Sequence, residues 1–311
     1  MNTLQNTGHT FPPVNTQALL QQASSLHVQG DLEQAEALYH QVLSIEPNNA
    51  DALHLLGFLA HQLEFHEEAI ELIKKAIKAS PKHALFHNNL AKVYAAAGKP
   101  EKAEKSYRNS LKINNSDPDV MNDLGNLLVQ LKKPKKAEQL IRKAIKLKPE
   151  EAIFYNNLGT ALRDQFKADE ADEAYRRAIE INPEFAGAMT NLGIVLSSRN
   201  KLDEAIALFE HALEIDPNNA HAHNNMADVF VKQRKMSNAV RHYIEASETD
   251  PNNARIFENL GRTLMRMKLY SEAIIELSRA MELDSTNSAT FVNFGKVLRY
   301  LGKFDQSREF L

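Results

Sequence analysis

From Thr16 onward, apolar side chains recur at the 3- and 4-residue spacing of amphipathic helices. In "FYNNLGTALRDQ" (154–165), Phe154, Leu158, Ala161 and Leu162 form one apolar stripe and predict a helix. Asn156 and Asn157 stand in its middle, although Asn is a poor helix former because its amide competes for backbone hydrogen bonds. The pattern returns at a fixed interval. Pro47, Pro81, Pro149, Pro183, Pro217 and Pro251 lie on a lattice of 34 residues, with Asn115 and Ser285 at the remaining nodes. With each node as position 32, repeats start at Thr16, Ala50, Ala84, Pro118, Ala152, Ala186, Ala220 and Ala254, and a truncated ninth starts at Ser288.

The other columns explain the lattice. Position 20 is alanine in the eight full repeats, from Ala35 to Ala273, and Ser307 in the ninth. Position 8 is Ala or Gly throughout, and position 24 is large, as in Tyr39, Tyr107, Tyr175, Phe209 and Tyr243. Two antiparallel helices approach closely only where small side chains face each other and bulky neighbours fill the remaining gaps. Each repeat is therefore a helix A/helix B hairpin, with proline ending helix B and presetting the next turn. The last helix B is expected over 305–311, which leaves the stack without the polar cap that such arrays need.

Composition narrows the function. The chain has 311 residues, 43% of them apolar and 25% charged, with a formal charge of −3; this gives no general attraction to nucleic acid or an anionic membrane. The absence of cysteine removes disulfides, thiol catalysis and cysteine-ligated metal sites, and fits a reducing, cytoplasmic setting. Residues 1–15 have no signal-peptide character and are expected to be a disordered tail. No stretch approaches the ~18 apolar residues of a membrane span.

The repeat resembles the tetratricopeptide (TPR) family over residues 16–311. That resemblance implies an all-α fold, a right-handed superhelical α-solenoid of eight full repeats plus a truncated ninth. The family's usual Trp at position 4 is replaced here by Leu, His, Met, Tyr or Phe, which softens packing at His87 and His223. The family's helix A lines a concave groove, and positions 2, 5, 6, 9, 12 and 13 share the stripe that faces it.

Position 6 carries a ladder of amides: Asn89, Asn157, Asn191, Asn225, Asn259 and Asn293. An amide both donates and accepts, so it can hold a peptide backbone whatever the peptide's sequence. Helix layers about 10 Å apart and an extended peptide rising ~3.3 Å per residue would let one Asn meet the peptide about every third residue. The alternative is that these amides bond a neighbouring helix of the scaffold. The ladder resembles the TPR arm of O-linked N-acetylglucosamine transferases, and "DALHLLGFLAHQ" (51–62) resembles the opening repeats of bacterial chains that carry TPRs ahead of a glycosyltransferase or sulfotransferase domain. Toward the C-terminus, Arg255, Arg262, Arg266 and Arg299, with Lys296, outweigh Glu258 and favour an acidic or phosphorylated segment; a solvated charged face is the plainer reading. At the other end, Leu20, His54, Leu55, Phe58 and His61 suit either an apolar anchor pocket or extra packing.

Three chemistries are set aside. The family's carboxylate clamp for chaperone tails fails because its lysines are missing: position 5 is Asn122, and Gly187 stands at position 2 two repeats on. Gly302-Lys303 lacks the rest of a P-loop, and "HEEAI" at His66 lacks the second His of a zinc-protease motif. The histidines are too scattered for a metal: His54 and His61 lie about 10 Å apart by helix rise, and His221 and His223 point to different sides. No cofactor and no catalytic residue are expected. The expected function is a non-enzymatic scaffold for an extended peptide or disordered segment. Two alternatives stand: a substrate-recruiting arm of a larger enzyme, and a scaffold that self-assembles through Phe304, Phe310 and Leu311.

Overall fold

The computed structural model describes residues 15–310; the expected disordered tail therefore falls, over residues 1–14, outside the described residues, as does Leu311. The chain divides into two compact units between Lys133 and Pro134. Unit 1 contains α1 (Thr16–Gln29), α2 (Leu32–Ile45), α3 (Ala50–Gln62), α4 (His66–Ala79), α5 (Ala84–Ala96), α6 (Pro100–Ile113) and α7 (Pro118–Gln130). Unit 2 contains α8 (Pro134–Leu147), α9 (Ala152–Arg163), α10 (Ala168–Ile181), α11 (Ala186–Ser198), α12 (Leu202–Ile215), α13 (Ala220–Lys232), α14 (Met236–Thr249), α15 (Ala254–Arg266), α16 (Tyr270–Leu283), α17 (Ser288–Tyr300) and α18 (Phe304–Ser307). Odd-numbered helices are helix A of a repeat and even-numbered ones helix B. The fold is all-α, a tandem array of helix hairpins. No helix among the described residues is long and apolar enough to cross a membrane.

Each A-to-B turn is made by one residue in the left-handed region, with φ between 58° and 86°. Glycine supplies it at Gly30, Gly98 and Gly302, and side chains bear the strain at Glu64, Lys132, Phe166, Asn200, Arg234 and Lys268. The following N–H then reaches back to helix A, as Lys167 N does to Leu162 O at 3.0 Å. At the B-to-A turn, the residue before the lattice position leaves the helical region whether or not proline follows, as Ser80 does at φ −133° before Pro81 and Asp284 at φ −138° before Ser285; proline disfavours a helical conformation there. An Asn or Asp before the lattice position also makes the turn, with proline or without it: Asn182 Oδ1 accepts from Glu184 N at 3.1 Å and Asp216 Oδ1 from Asn218 N at 3.3 Å. Asp284 Oδ1 accepts from Thr286 N at 2.9 Å, and Asn114 Oδ1 accepts from Ser116 N at 3.3 Å.

Inside the units, position 8 of helix A faces position 24 of helix B, small against large: Gly57 faces Ile73 and Gly261 faces Leu277. A Cβ on Gly159 would lie 2.6 Å from the Tyr175 ring, and one on Gly193 would lie 2.6 Å from the Phe209 ring. The position-20 alanines are fully buried. Ser307, in the same column, is buried with its hydroxyl donating to Gly295 O at 2.9 Å.

Repeats are also joined along one edge. Lys167 Nζ donates to Glu138 Oε2 at 3.0 Å, and Gln165 Nε2 donates to the same oxygen at 2.9 Å. Arg199 pairs with Asp169 and, at 3.3 Å, with Asp172; Gln233 donates to Asp203 at 2.9 Å. In unit 1, Lys133 donates to Glu104 at 2.8 Å and Lys99 pairs with Glu67. Burial opposes ionisation of Glu138, but the hydrogen bonds from Lys167, Gln165 and Arg142 outweigh it and hold its carboxyl down to about 2.

The C-terminal hairpin differs from its expected form. α18 stops at Ser307, because the chain then folds back and sets Phe310 5.0 Å from the Phe294 ring and 6.2 Å from that of Phe291. Phe304 remains exposed.

Candidate functional site

The position-6 asparagines are all half-buried, and most bond to the scaffold. In unit 2, Asn191 Nδ2 donates to Asn156 Oδ1 at 3.0 Å, and Asn259 Nδ2 donates to Asn224 Oδ1 at 3.3 Å. In unit 1, Asn89 Nδ2 donates to His54 Nε2 at 2.7 Å. These three contacts share one rule: position 6 of a repeat meets position 5 of the repeat before it, 35 residues back. Asn225 instead donates to His221 O within its own helix at 2.7 Å, and Asn157 Oδ1 accepts from Asn156 Nδ2 at 3.3 Å. A carboxamide has two N–H groups and two oxygen lone pairs, so one scaffold bond leaves it further donors and acceptors.

Unit 2 holds a cavity of about 460 Å³ on this face, with Arg163, Asn191, Ile194, His221, Asn225 and Arg255 in its lining. These occupy positions 12, 6, 9, 2, 6 and 2 of four consecutive repeats, so the cavity opens on the stripe that helical spacing marks. It brings Asn191, Asn225 and Arg255 together. Arg163, not singled out by sequence reasoning, joins them: its Nη1 donates to Asn191 Oδ1 at 3.1 Å.

Asn259 lies beside a second polar centre. Asp228 Oδ1 accepts from the Tyr243 hydroxyl at 2.5 Å and from Asn259 Nδ2 at 3.5 Å. Burial raises the Asp228 carboxyl, against the hydrogen bond from Tyr243 and the nearby charges of Arg255, Lys232 and Arg262. Arg262, Arg266 and Arg299 are exposed, and neither they nor Arg255 form an ion pair among the described residues. Asn293 is half-buried on α17; none of Asn157, Asn259, Asn293, Arg262, Arg266 and Arg299 lines the cavity with Asn191 and Asn225.

In unit 1 the same face has a cavity of about 320 Å³ lined in part by Lys92, Tyr107, Asp123, Asn126 and Gln130, where Lys92 Nζ lies 3.4 Å from Asp123 Oδ2. The apolar end of this unit is largely packed. Leu20 and His54 are buried, Leu55 packs on the core, and His54 stacks on Phe86 with centroids 4.5 Å apart. Among the described residues, no three His, Asp or Glu side chains come together as metal ligands.

Sequence reasoning missed the position-5 acceptors, Asn156, Asn224 and His54. The signal was present, because Asn88, Asn122, Asn156 and Asn224 share that column; only the way one repeat packs on the next shows that the column lies opposite position 6 of its neighbour.

Tandem helix hairpins with a polar stripe along helix A define a helical-repeat scaffold. The tetratricopeptide repeat family matches at residues 82–150 and 150–218, at 26–93 and 196–256, and at 254–287. The chain belongs to the tetratricopeptide repeat family, whose fold serves protein–protein interaction. Its fold is similar to a tetratricopeptide repeat protein from Parabacteroides merdae, with a TM-score of 0.68 at 20% identity over 80% of this chain and 98% of that one. It is similar too to a chain of the APC/C hetero-tetramer Cut9-Hcn1, with a TM-score of 0.69 at 17% identity over 90% of this chain and 55% of that one. A segment of 84 residues is 32% identical to the rhomboid protease GluP of Bacillus subtilis (strain 168), covering 27% of this chain and 17% of that protein. The match thus spans a minor part of that relative.

Proposed function

We propose that the chain is a scaffold that holds an extended peptide or disordered protein segment along helix A of its repeats, with Asn89, Asn157, Asn191, Asn225, Asn259 and Asn293 facing the peptide backbone and Arg255, Arg262, Arg266 and Arg299 favouring acidic side chains. The observation that carries this reading is the unit 2 cavity, where two ladder amides meet two guanidinium groups on one face. The amides' scaffold bonds support it. They fix the rotamers of Asn191 and Asn259 before a partner arrives, which lowers the ordering cost of binding. Each backbone hydrogen bond nets only ~1 kcal/mol, so affinity comes from the array.

The test is a pull-down from a lysate with the wild type and with the Asn191→Ala/Asn225→Ala/Asn259→Ala variant, followed by titration of a captured partner. The expected outcome is a loss of tenfold or more in affinity with unchanged helicity. Unchanged affinity for a verified partner would sink the ladder reading.

A further inference from the structure

We infer that the cavity bounded by α9, α11, α13 and α15 is a phosphate-binding pocket, which takes a phosphorylated serine or threonine of the bound peptide on Arg163, His221 and Arg255. The inference rests on the peptide-groove reading and deepens it.

The argument starts from which polar groups at the cavity are already engaged. Asn191 donates to Asn156 at 3.0 Å and accepts from Arg163 at 3.1 Å. Asn225 donates to the His221 carbonyl at 2.7 Å, and the Thr190 hydroxyl donates to Ala186 O at 2.9 Å. Asn219 Oδ1 accepts from Ala222 N at 2.9 Å as the cap of α13. Hydrogen-bonding capacity to spare remains on the guanidinium of Arg255, the other N–H groups of Arg163, the ring of His221, the Asn219 amide N–H groups and the Asn225 amide, and donors outnumber acceptors among these. Cavity surface rich in unspent donors calls for a ligand rich in acceptors.

Charge points the same way. No carboxylate lines the cavity, which has two guanidinium groups in its wall. The nearest compensation for Arg163 is Asp164, at 3.7 Å from its Nε. Arg255 has no ion pair among the described residues, and its carboxylate neighbour, Asp228, is held by Tyr243 and Asn259.

Shape decides between anions. A planar carboxylate is satisfied by one guanidinium fork, whereas a phosphate monoester presents three terminal oxygens in three directions and close to two negative charges. Here the donors come from three different helices, Arg163 on α9, His221 on α13 and Arg255 on α15, around a volume of about 460 Å³. Ile194 supplies an apolar wall, which reduces hydration and strengthens charge-assisted hydrogen bonds. Asn191 and Asn225 in the same lining place the phosphate beside the peptide backbone that they would hold.

The test uses the full chain and three degenerate dodecapeptide libraries with a fixed central phosphoserine, serine or glutamate, read by fluorescence polarisation. The phosphoserine library is expected to bind at least tenfold more tightly than the other two. The Arg163→Ala/Arg255→Ala variant, checked for unchanged helicity, is expected to lower phosphoserine binding to the serine level. An Arg163→Lys/Arg255→Lys variant keeps the charge but loses the fork, and is expected to fall between the two. Arg234→Ala, at an exposed A-to-B turn, should keep the full preference. Equal binding of phosphoserine and serine libraries overturns the pocket while leaving the groove reading intact. Equal binding of phosphoserine and glutamate also overturns it, in favour of a carboxylate site. Failure of all three libraries to bind overturns the pocket and the groove reading together.

Discussion

The Pro217 carbonyl, which can only accept, lies 3.1 Å from His223 Nε2 and so sets the proton positions of two histidines. His223 must carry its proton on Nε2, which leaves Nδ1 as an acceptor. His242 Nδ1 lies 3.0 Å away and must donate, and His242 Nε2 then accepts from Arg241 Nη2 at 3.3 Å. The His242 ring is neutral in this arrangement. Burial, then His223 and Arg241, push the His242 imidazole down to about 4, and burial followed by His83 does the same for His54. An unfolded chain would take up these protons near the ordinary value of 6.5. The folded protein binds fewer protons between those values, so stability is full above about pH 6.5 and declines as pH falls toward 4. At 1.36 kcal/mol per pKa unit the loss is at most about 3 kcal/mol for each group. Urea titrations at pH 7, 5.5 and 4.5 are expected to show this decline, and a His54→Leu/His242→Phe variant is expected to flatten it. An equal decline in the variant refutes the assignment.

Within a hairpin, one close approach governs the pairing of helices. Gly193 faces Phe209, which is fully buried, and a Cβ at Gly193 would sit 2.6 Å from that ring. Helix propensity alone makes Ala better than Gly by about 1 kcal/mol, whereas overpacking of a core costs about 1–3 kcal/mol. The expected net effect of Gly193→Ala is a loss of stability, reduced or reversed in a Phe209→Leu background. Stabilisation in the wild-type background would show that the contact does not limit helix approach. At this scale the sequence was informative, because packing confines positions 8, 20 and 24 to a few residue types that recur every 34 residues. It was silent where one role had two chemical solutions. Ser285 and Asn115 break the proline lattice, yet the turns persist with the Asx caps of Asp284 and Asn114 that Asn182 and Asp216 also form ahead of proline. The expected helix over 305–311 reflected local periodicity, whereas packing of Phe310 on Phe291 and Phe294 ends it at Ser307.

At the scale of the whole molecule, the exposed arginines of α15 and α17 have no ion pairs among the described residues, so the field at that part of unit 2 is available to a partner. Partner affinity is expected to fall about tenfold or more as ionic strength rises from about 0.05 to 0.5 M, since the Debye length shrinks from roughly 14 to 4 Å; salt-independent binding would remove these arginines from the interface. Part of the candidate site was legible in the sequence, since the amide column recurs at position 6 and the arginines fall on the same helix A stripe. Its partners were not: that Arg163 reaches Asn191, or that Asn224 and Asp228 receive Asn259, depends on distances between repeats. Those cross-repeat amide bonds have a mechanical side. In unit 2 they are rungs between successive coils of a spring, and stretching the spring pulls Asn191 from Asn156 and Asn259 from Asn224. The side chains proposed to hold a peptide thus contribute to the elastic constant. A bound peptide would alter the stiffness, and tension on the array would alter how well the peptide is held.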